Sequence, residues 1–466
     1  MNRSADFGPR AITCFKAYDI RGELGIDLDA DIAYRTGRAF TQARGARNVV
    51  VGRDSRESSP LLANALIRGL TEGGADVLDL GLAGTEEVYF ATGHLGADGG
   101  IEVTASHNPI SYNGMKLVGV GSAPLDPDSE LPAVAELARS GDFVPAARMG
   151  QVRDARETRA DYARALVNMI DVSALRPMRV LVNAGNGTAG PTFDAIAMEL
   201  DRRGSPLDFV RIHHEVDPSF PNGIPNPLLP ENQPPTAEAV REAGADLGIA
   251  WDGDFDRCFF FDSTGRFIAG EYIVGLLAAA FLEKFPGEKI VHDPRVVLNT
   301  RDVVAASGGV AVQSRTGHAF IKRKMRETGA IYGGEMSAHH YFRDFYHCDS
   351  GMIPWLLVVE LLSREGRGLD ALLSERMTRF PSSGEINWRL DDPDAAIARV
   401  LAHYAPEAQS RDDSDGVSLE FKDWRFNLRQ SNTEPVVRLN VESLGDAALV
   451  AEKQAEIAAI LTGTGF

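Results

Sequence analysis

Short apolar runs alternate with amphipathic stretches along most of this chain. NVVVG (48–52) is an apolar run that leads into a helical pattern from near Ser58 to Glu72, and ADVLDLGL (75–82) reads as the next strand. The plan recurs further on. MRVLVNAGNG (178–187) is a strand running into a Gly/Asn turn, with a helix from about Pro191, and LDFVRIH (207–213) is another strand. GADLGIAWDGDFDR (244–257) is again a strand followed by a polar turn, as are KIVHDP (289–294) and GAIYGGEMS (329–337). Strands alternating with amphipathic helices predict an α/β architecture. Residues 217–235 are too rich in proline for regular structure. Tyr272 to Leu282 is a buried helix, and the texture changes after Leu372. There, 380–394 reads as a linker into a smaller α+β unit that closes with a helix from Asp446 to about Leu461. The pattern therefore divides the chain into four domains, 1–155, 156–257, 258–372 and 373–466.

At 466 residues the chain is too long for one ordinary core. Its formal net charge of −18 argues against a nucleic-acid partner, which needs a basic footprint, but leaves room for small phosphorylated ligands. Three scattered cysteines, Cys14, Cys258 and Cys348, form no disulfide framework and no CxxC pair, as expected in a reducing compartment. The first residues lack the apolar core of a signal peptide, and the longest apolar run is far short of the ~20 residues of a membrane span. The expectation is a soluble cytoplasmic protein with no membrane partner.

Four loops carry unusual chemistry, and in α/β units ligand groups gather at the carboxyl ends of strands. After the strand end Gly100–Val103 comes TASHNP (104–109), in which Ser106 is either turn punctuation or a nucleophile. DGDFDR places Asp252, Asp254 and Asp256 together, hard oxygen ligands suited to Mg²⁺ or Ca²⁺. An EF-hand is excluded, because Arg257 and Ser263 stand where its glycine and glutamate belong. GGEMSAHHYF (333–342) offers Glu335 and Ser337 to a hydroxyl-rich ligand, while its adjacent histidines lack a third ligand at zinc spacing. Finally, Arg429, Ser431, Asn432 and Thr433 form an anion cradle without Walker glycines or lysine.

KAYDIRG, TASHNP, DGDFDR, GEMSAH and RQSNTEP, in this order across almost the whole chain, resemble the α-D-phosphohexomutases, in particular the bacterial phosphomannomutase/phosphoglucomutase group. The resemblance implies four domains around a central cleft, three related α/β domains and a smaller C-terminal α+β domain. It implies reversible phosphoryl transfer between C1 and C6 of a hexose phosphate, of mannose and also of glucose, through a phosphoserine and a 1,6-bisphosphate. A strict phosphomannomutase, a strict phosphoglucomutase, a sugar-phosphate phosphatase and a non-catalytic sugar-phosphate binder are the alternatives.

On this resemblance Ser106 is the phosphorylated residue. One Mg²⁺ per chain is held by Asp252, Asp254, Asp256 and the Ser106 phosphoryl group. Arg21 and Arg257 neutralise the transferred group, His107 supports the serine, and Lys116 moves a proton if neighbours lower its pKa. His339, a catalytic candidate of the sugar loop, and His318, at the substrate, are the histidines either of which assists acid–base steps. Tyr18 shapes the site, and Glu335 and Ser337 bind sugar hydroxyls. Arg429, Ser431, Asn432 and Thr433 hold the non-reacting phosphate. Glucose or mannose 1,6-bisphosphate serves as activator, hexose phosphates are the only partners, and the chain is a monomer or weak oligomer. Two departures stand out: Ala338 replaces a glycine of many relatives, and Arg295 a lysine of some.

Overall fold

Val49, Val50 and Val51 are all buried, as a strand covered on both faces requires. Val49 and Val51 join one apolar cluster with Ile32, Phe40, Leu66 and Leu70, whereas Val50 joins another with Leu80, Val88 and Ala91. The two clusters are the two faces of one six-stranded sheet. Its order is Ile20–Glu23, Tyr112–Gly119, Gly99–Val103, Asn48–Arg53, Asp76–Leu82, Val152–Asp154. The computed structural model describes residues 9–430 and 436–463. It divides into one unit running up to Phe267 with Asp344–Gly366, and a second of Ile268–Arg343 with the chain from Arg367 on.

One device is used three times. In the first unit Asn48–Arg53 runs parallel to Gly99–Val103, and Tyr112–Gly119 returns antiparallel to the latter, so TASHNP joins two adjacent strands. In the second sheet of that unit, Met178–Asn183 is parallel to Leu207–Ile212 and Leu247–Trp251. Cys258–Asp262 returns antiparallel beside Leu247–Trp251, and DGDFDR joins them. In the second unit Lys289–His292 is parallel to Val310–Gln313 and Tyr332–Gly334. His340–Phe342 returns antiparallel after the loop 335–339. Each sheet thus delivers a polar loop at the carboxyl end of a parallel strand, where side chains need not serve the core.

The last sheet is antiparallel throughout, in the order Ile386–Arg389, Val436–Ser443, Trp424–Gln430, Val417–Glu420, Ser410–Asp412. Helices Pro393–Tyr404 and Ala447–Thr462 supply its apolar partners, among them Val400, Ile457 and Leu461. The reading of 380–394 as a linker is corrected here. Ile386–Arg389 is a strand paired with Val436–Leu439. Four residues flanked by Pro, Ser and Asp carry too little periodicity to show a strand whose partner lies some fifty residues on. The apolar run 272–282 is a helix, Gly270–Lys284, as expected. No helix among the described residues is long and apolar enough to cross a membrane.

Within the first unit, three consecutive residues at the start of helix Thr85–His94 tie together elements far apart in sequence. Thr85 Oγ1 donates to Asp254 Oδ2 at 2.6 Å. Glu86 Oε1 accepts from the Gly351 and Met352 amides at 2.9 and 3.1 Å, capping helix Met352–Glu365. Glu87 accepts from Arg159 Nε at 2.7 Å and Thr192 Oγ1 at 2.9 Å.

In the second unit Glu271 is buried, with Oε1 accepting from Ser382 Oγ at 2.6 Å and Oε2 lacking a hydrogen-bond partner. Burial pushes its carboxyl up to about 7. A raised folded-state value stabilises the fold below the ordinary glutamate pKa, and that contribution is lost as pH rises through 7. Glu271→Gln should therefore raise the apparent Tm at about pH 8, relieving a penalty on the order of 1–3 kcal/mol, and change little near pH 5. Thermal unfolding at the two pH values checks this, and equal shifts at both would show that burial does not hold the proton.

Candidate active site

Ser106 stands at a turn with φ of +49°, in the left-handed region that side chains seldom occupy. It is buried, and its Oγ donates to Asp252 Oδ2 at 3.0 Å with His107 Nδ1 also at 3.0 Å. The Ser106 amide donates to Thr104 Oγ1 at 2.8 Å, which orients the turn from within. The DGDFDR loop meets this turn backbone to backbone. A Cβ on Gly253 would lie 2.6 Å from the Ser106 carbonyl oxygen, so only glycine allows the approach.

Asp252, Asp254 and Asp256 are all buried, with carboxylate oxygens within 4.8 Å of one another. Lys116, brought opposite Glu102 by the strand register, donates from Nζ to Asp254 Oδ2 at 2.7 Å and also to Asp256 Oδ2. Arg257 Nε lies 3.5 Å from Asp252 Oδ2. Asp254 Oδ1 is buried without a hydrogen-bond partner, which in a cluster of hard oxygens suits a divalent cation such as Mg²⁺. The three carboxylates picked out in the sequence thus lie together, with Asp252 against Ser106.

The electrostatics bear on the condition attached to Lys116. Burial works to lower Lys116, but Asp254 and Asp256 outweigh it and hold the ammonium above the usual lysine range. Lys116 is a fixed cation here, not the lowered group that moving a proton calls for. Burial works to raise Asp254, and Lys116 outweighs that too, keeping the carboxyl ionised. Burial, then Arg257 and Arg21, push His107 well below the ordinary histidine value, so it is neutral beside the serine.

Arg21 reaches the serine loop from the Ile20–Glu23 strand. It donates to the Ala105 carbonyl at 2.8 Å and to Asn108 Oδ1, and pairs with Asp19 at 2.8 Å. Tyr18 is half-buried three residues before Arg21, in the chain's turn into that strand. Three residues that the sequence reading passed over also belong to this unit's site: Thr85, Asp54 and Arg56. Asp54 accepts from the Ala105 amide at 3.4 Å and from Ser59 Oγ at 2.5 Å. The signal for Asp54 and Arg56 was the polar run that follows NVVVG at the same sheet end as TASHNP.

The second unit holds the other candidates. Glu335 is buried, with Oε1 accepting from Tyr341 Oη and Oε2 from Arg295 Nη2 at 3.1 Å and the Gly317 amide at 3.2 Å. The same Arg295 nitrogen donates to Ser337 Oγ at 3.0 Å. Ala338 has φ of +67°, which explains why glycine would suit that position. His339 is buried, its ring centroid 6.0 Å from that of Tyr341, and His318 opens helix His318–Thr328.

Arg295 also faces Glu385 at 3.5 Å, and Glu385 pairs with Arg429 at 2.9 Å and Arg438 at 3.3 Å. Burial works to raise Glu385, and Arg295, Arg429 and Arg438 outweigh it. The sugar-loop candidates and Arg429 are thus joined through Arg295 and Glu385, neither of which the sequence reading had placed there. Ser431, Asn432 and Thr433 lie outside the described residues.

Comparison with known proteins agrees with this arrangement. The phosphoglucomutase/phosphomannomutase models match in order: α/β/α domain I over residues 13–143, domain II over 160–265, domain III over 269–380 and the C-terminal domain over 385–460. A phosphomannomutase of Salmonella montevideo is 59% identical over 452 residues, covering 97% of this chain and 99% of that protein. A protein of Xanthomonas campestris pv. campestris named phosphohexose mutases is 54% identical, covering 97% of this chain and 100% of its own length. The crystal structure of a phosphoglucomutase/phosphomannomutase family protein from Burkholderia thailandensis superposes with a TM-score of 0.86 at 32% identity, covering 98% of this chain and 99% of that one. With all four domain types present in order and near-complete relatives at such identity, this chain belongs to the phosphoglucomutase/phosphomannomutase family of isomerases.

Proposed function

We propose that the chain interconverts the 1- and 6-phosphates of mannose, and of glucose, through a phosphorylated Ser106 and a hexose 1,6-bisphosphate. One observation carries this reading: the Ser106 hydroxyl is held 3.0 Å from one of three buried, mutually adjacent aspartates, with a lysine ammonium on the other two. Phosphoryl transfer depends mainly on positioning and on charge around the transferred group. In the first half-reaction a sugar hydroxyl oxygen attacks phosphorus as its proton passes to a base, the bond from phosphorus to Ser106 Oγ breaks, and Oγ takes a proton. In the second, Ser106 Oγ gives its proton to a base and attacks the other phosphoryl group, the bond from that phosphorus to the sugar oxygen breaks, and the sugar oxygen takes a proton. Glucose or mannose 1,6-bisphosphate would recharge a chain that has lost its phosphoryl group.

Asp252, Asp254 and Asp256 would hold one Mg²⁺, which when bound supplies Lewis-acid stabilisation of phosphoryl oxygens. Lys116 and Arg257 add fixed positive charge within hydrogen-bonding or ion-pairing reach of the same carboxylates. His107, neutral and 3.0 Å from Oγ, accepts the serine's proton or holds the hydroxyl in place. In the second unit, Glu335 and Ser337 would read the 3- and 4-hydroxyls, held by Arg295. Arg429, with Ser431, Asn432 and Thr433, would grip the phosphate that is not reacting, and Glu385 keeps its guanidinium aligned meanwhile. On this reading the four domains, 1–155, 156–257, 258–372 and 373–466, contribute the serine, metal, sugar and phosphate loops in turn.

Three measurements test the proposal. The peptide containing Ser106 should carry about 80 Da of added mass in a fraction of the isolated protein, one phosphoryl group. Ser106→Ala should lose at least about three orders of magnitude in turnover, and full activity in that variant would exclude the covalent route.

Asp254→Asn should weaken Mg²⁺ binding, read by calorimetry, while the circular dichroism spectrum stays that of the parent. Chelation should stop turnover of the parent and Mg²⁺ restore it. Undiminished turnover after chelation would remove the metal from the reading.

Glucose and mannose differ at C2 only, so readers of O3 and O4 should accept both 1-phosphates within about tenfold in kcat/KM, roughly 1.4 kcal/mol. Galactose 1-phosphate, with C4 inverted, should be poorer by about two orders of magnitude, reflecting unmade hydrogen bonds of about 1–3 kcal/mol each. Glu335→Ala should narrow that gap. A galactose epimer that reacts as well as glucose would show that Glu335 and Ser337 do not read the sugar.

A further inference from the structure

We propose that Arg56 is a positioning residue for Ser106, its guanidinium holding the serine loop in the left-handed turn that aims Oγ at the aspartates. This rests on the reading of Ser106 as the group that carries the phosphoryl. Arg56 is 1% exposed, and both terminal nitrogens are spent on the backbone of that loop. Nη1 donates to the carbonyls of Pro109 at 2.9 Å and Tyr112 at 3.2 Å. Nη2 donates to those of Ser106 at 2.9 Å and Asn108 at 2.6 Å. One side chain thus gathers four carbonyls of residues 106–112. Carbonyls offer no charge, and a buried guanidinium needs one; Asp54 supplies it, with Oδ2 3.4 Å from Arg56 Nε and Oδ1 accepting from the Arg56 amide at 3.0 Å.

The contact to the Ser106 carbonyl matters most. That oxygen lies on the side of the turn where Gly253 approaches, so the bond from Arg56 fixes the backbone against which the metal loop is seated. A residue at φ +49° relaxes toward commoner backbone angles unless its surroundings hold it. A relaxed turn would move Oγ away from Asp252. The serine must occupy one position in both half-reactions, and a displacement of about 1 Å costs roughly 100-fold in rate. Only arginine fits this duty, because its planar fork presents five N–H groups in fixed directions, whereas lysine presents three donors from a single nitrogen.

The test compares Arg56→Lys and Arg56→Ala with the parent, first by circular dichroism and thermal unfolding, then by steady-state kinetics on mannose 1-phosphate. Arg56→Lys should fold, with kcat about 100-fold lower and KM within about threefold, because the loop is misplaced while the sugar-binding groups are untouched. Added methylguanidinium should restore at least about tenfold in kcat to Arg56→Ala, and an equal concentration of methylammonium should not. A folded Arg56→Lys with kcat within about twofold of the parent overturns the proposal, as does a loss confined to KM. Absence of rescue in a folded Arg56→Ala, or failure of both variants to fold, overturns it as well, since Arg56 is then a determinant of the fold. Failure of the functional reading looks different: the parent itself would lack mutase activity, or Ser106→Ala would retain it.

Discussion

Three carboxylates confined to one buried point are the constraint around which the first unit is built. At separations near 4 Å, like charges repel by about 4 kcal/mol at a protein-like dielectric of about 20, and removing each from water costs more. Such a cluster persists only if positive charge is supplied locally. Lys116 does this from the strand next to the serine loop, and Arg257 from the end of the aspartate loop itself. Lys116 reaches the site because Tyr112–Gly119 returns antiparallel beside Gly99–Val103, so the hairpin bearing the serine also delivers the cation. The serine hairpin and the aspartate loop are therefore electrostatic complements.

The same complementarity explains the unusual local backbone. Ser106 and Phe255 both adopt positive φ, one in each loop, and Gly253 lies against the Ser106 carbonyl. Strain of this kind is tolerated where surrounding bonds over-determine the geometry. Here they do so from several directions: Thr104 from within the loop, Arg21 and Arg56 from its two flanks, and Thr85 on the aspartate side. The neighbours of Thr85 extend the scaffold, since Glu86 caps helix Met352–Glu365 and Glu87 grips Arg159 and Thr192. A frame of this kind holds the Ser106 hydroxyl in one position beside Asp252.

The second unit solves a different problem with the same chemistry. On the proposed reading its groups bind neutral hydroxyls and an anion, and contacts within the protein order both sets beforehand. Arg295 orders Glu335 and Ser337 together, and through Glu385 it shares a counter-charge with Arg429. Burial alone would lower Arg295, but Asp293, Glu335 and Glu385 outweigh it, so the guanidinium stays charged. An arginine suits this duty better than a lysine because its fork of N–H groups serves four partners, Asp293, Glu335, Ser337 and Glu385.

The local chemistry was legible in the sequence. Apolar runs such as NVVVG and MRVLVN, each followed by a polar turn, are strands with loops at their carboxyl ends, because a covered parallel strand must be apolar and its exit need not be. Asp252, Asp254 and Asp256 could be grouped for a related reason: they alternate within one short loop, and their proximity is local. The strand Ile386–Arg389 was hidden in what read as a linker, since its partner is distant in sequence. Thr85, Arg56, Arg295 and Glu385 were passed over or given no role for a related reason. Arginine, threonine and glutamate are common everywhere, and only their partners distinguish them. The charge of Lys116 could not be read from the sequence because pKa follows from neighbours, and Asp254 lies well over a hundred residues away. Residue type and order determined which groups could react. Tertiary structure decided which of them are charged, which are held and in what direction they point, because those properties belong to contacts between segments that the chain keeps far apart.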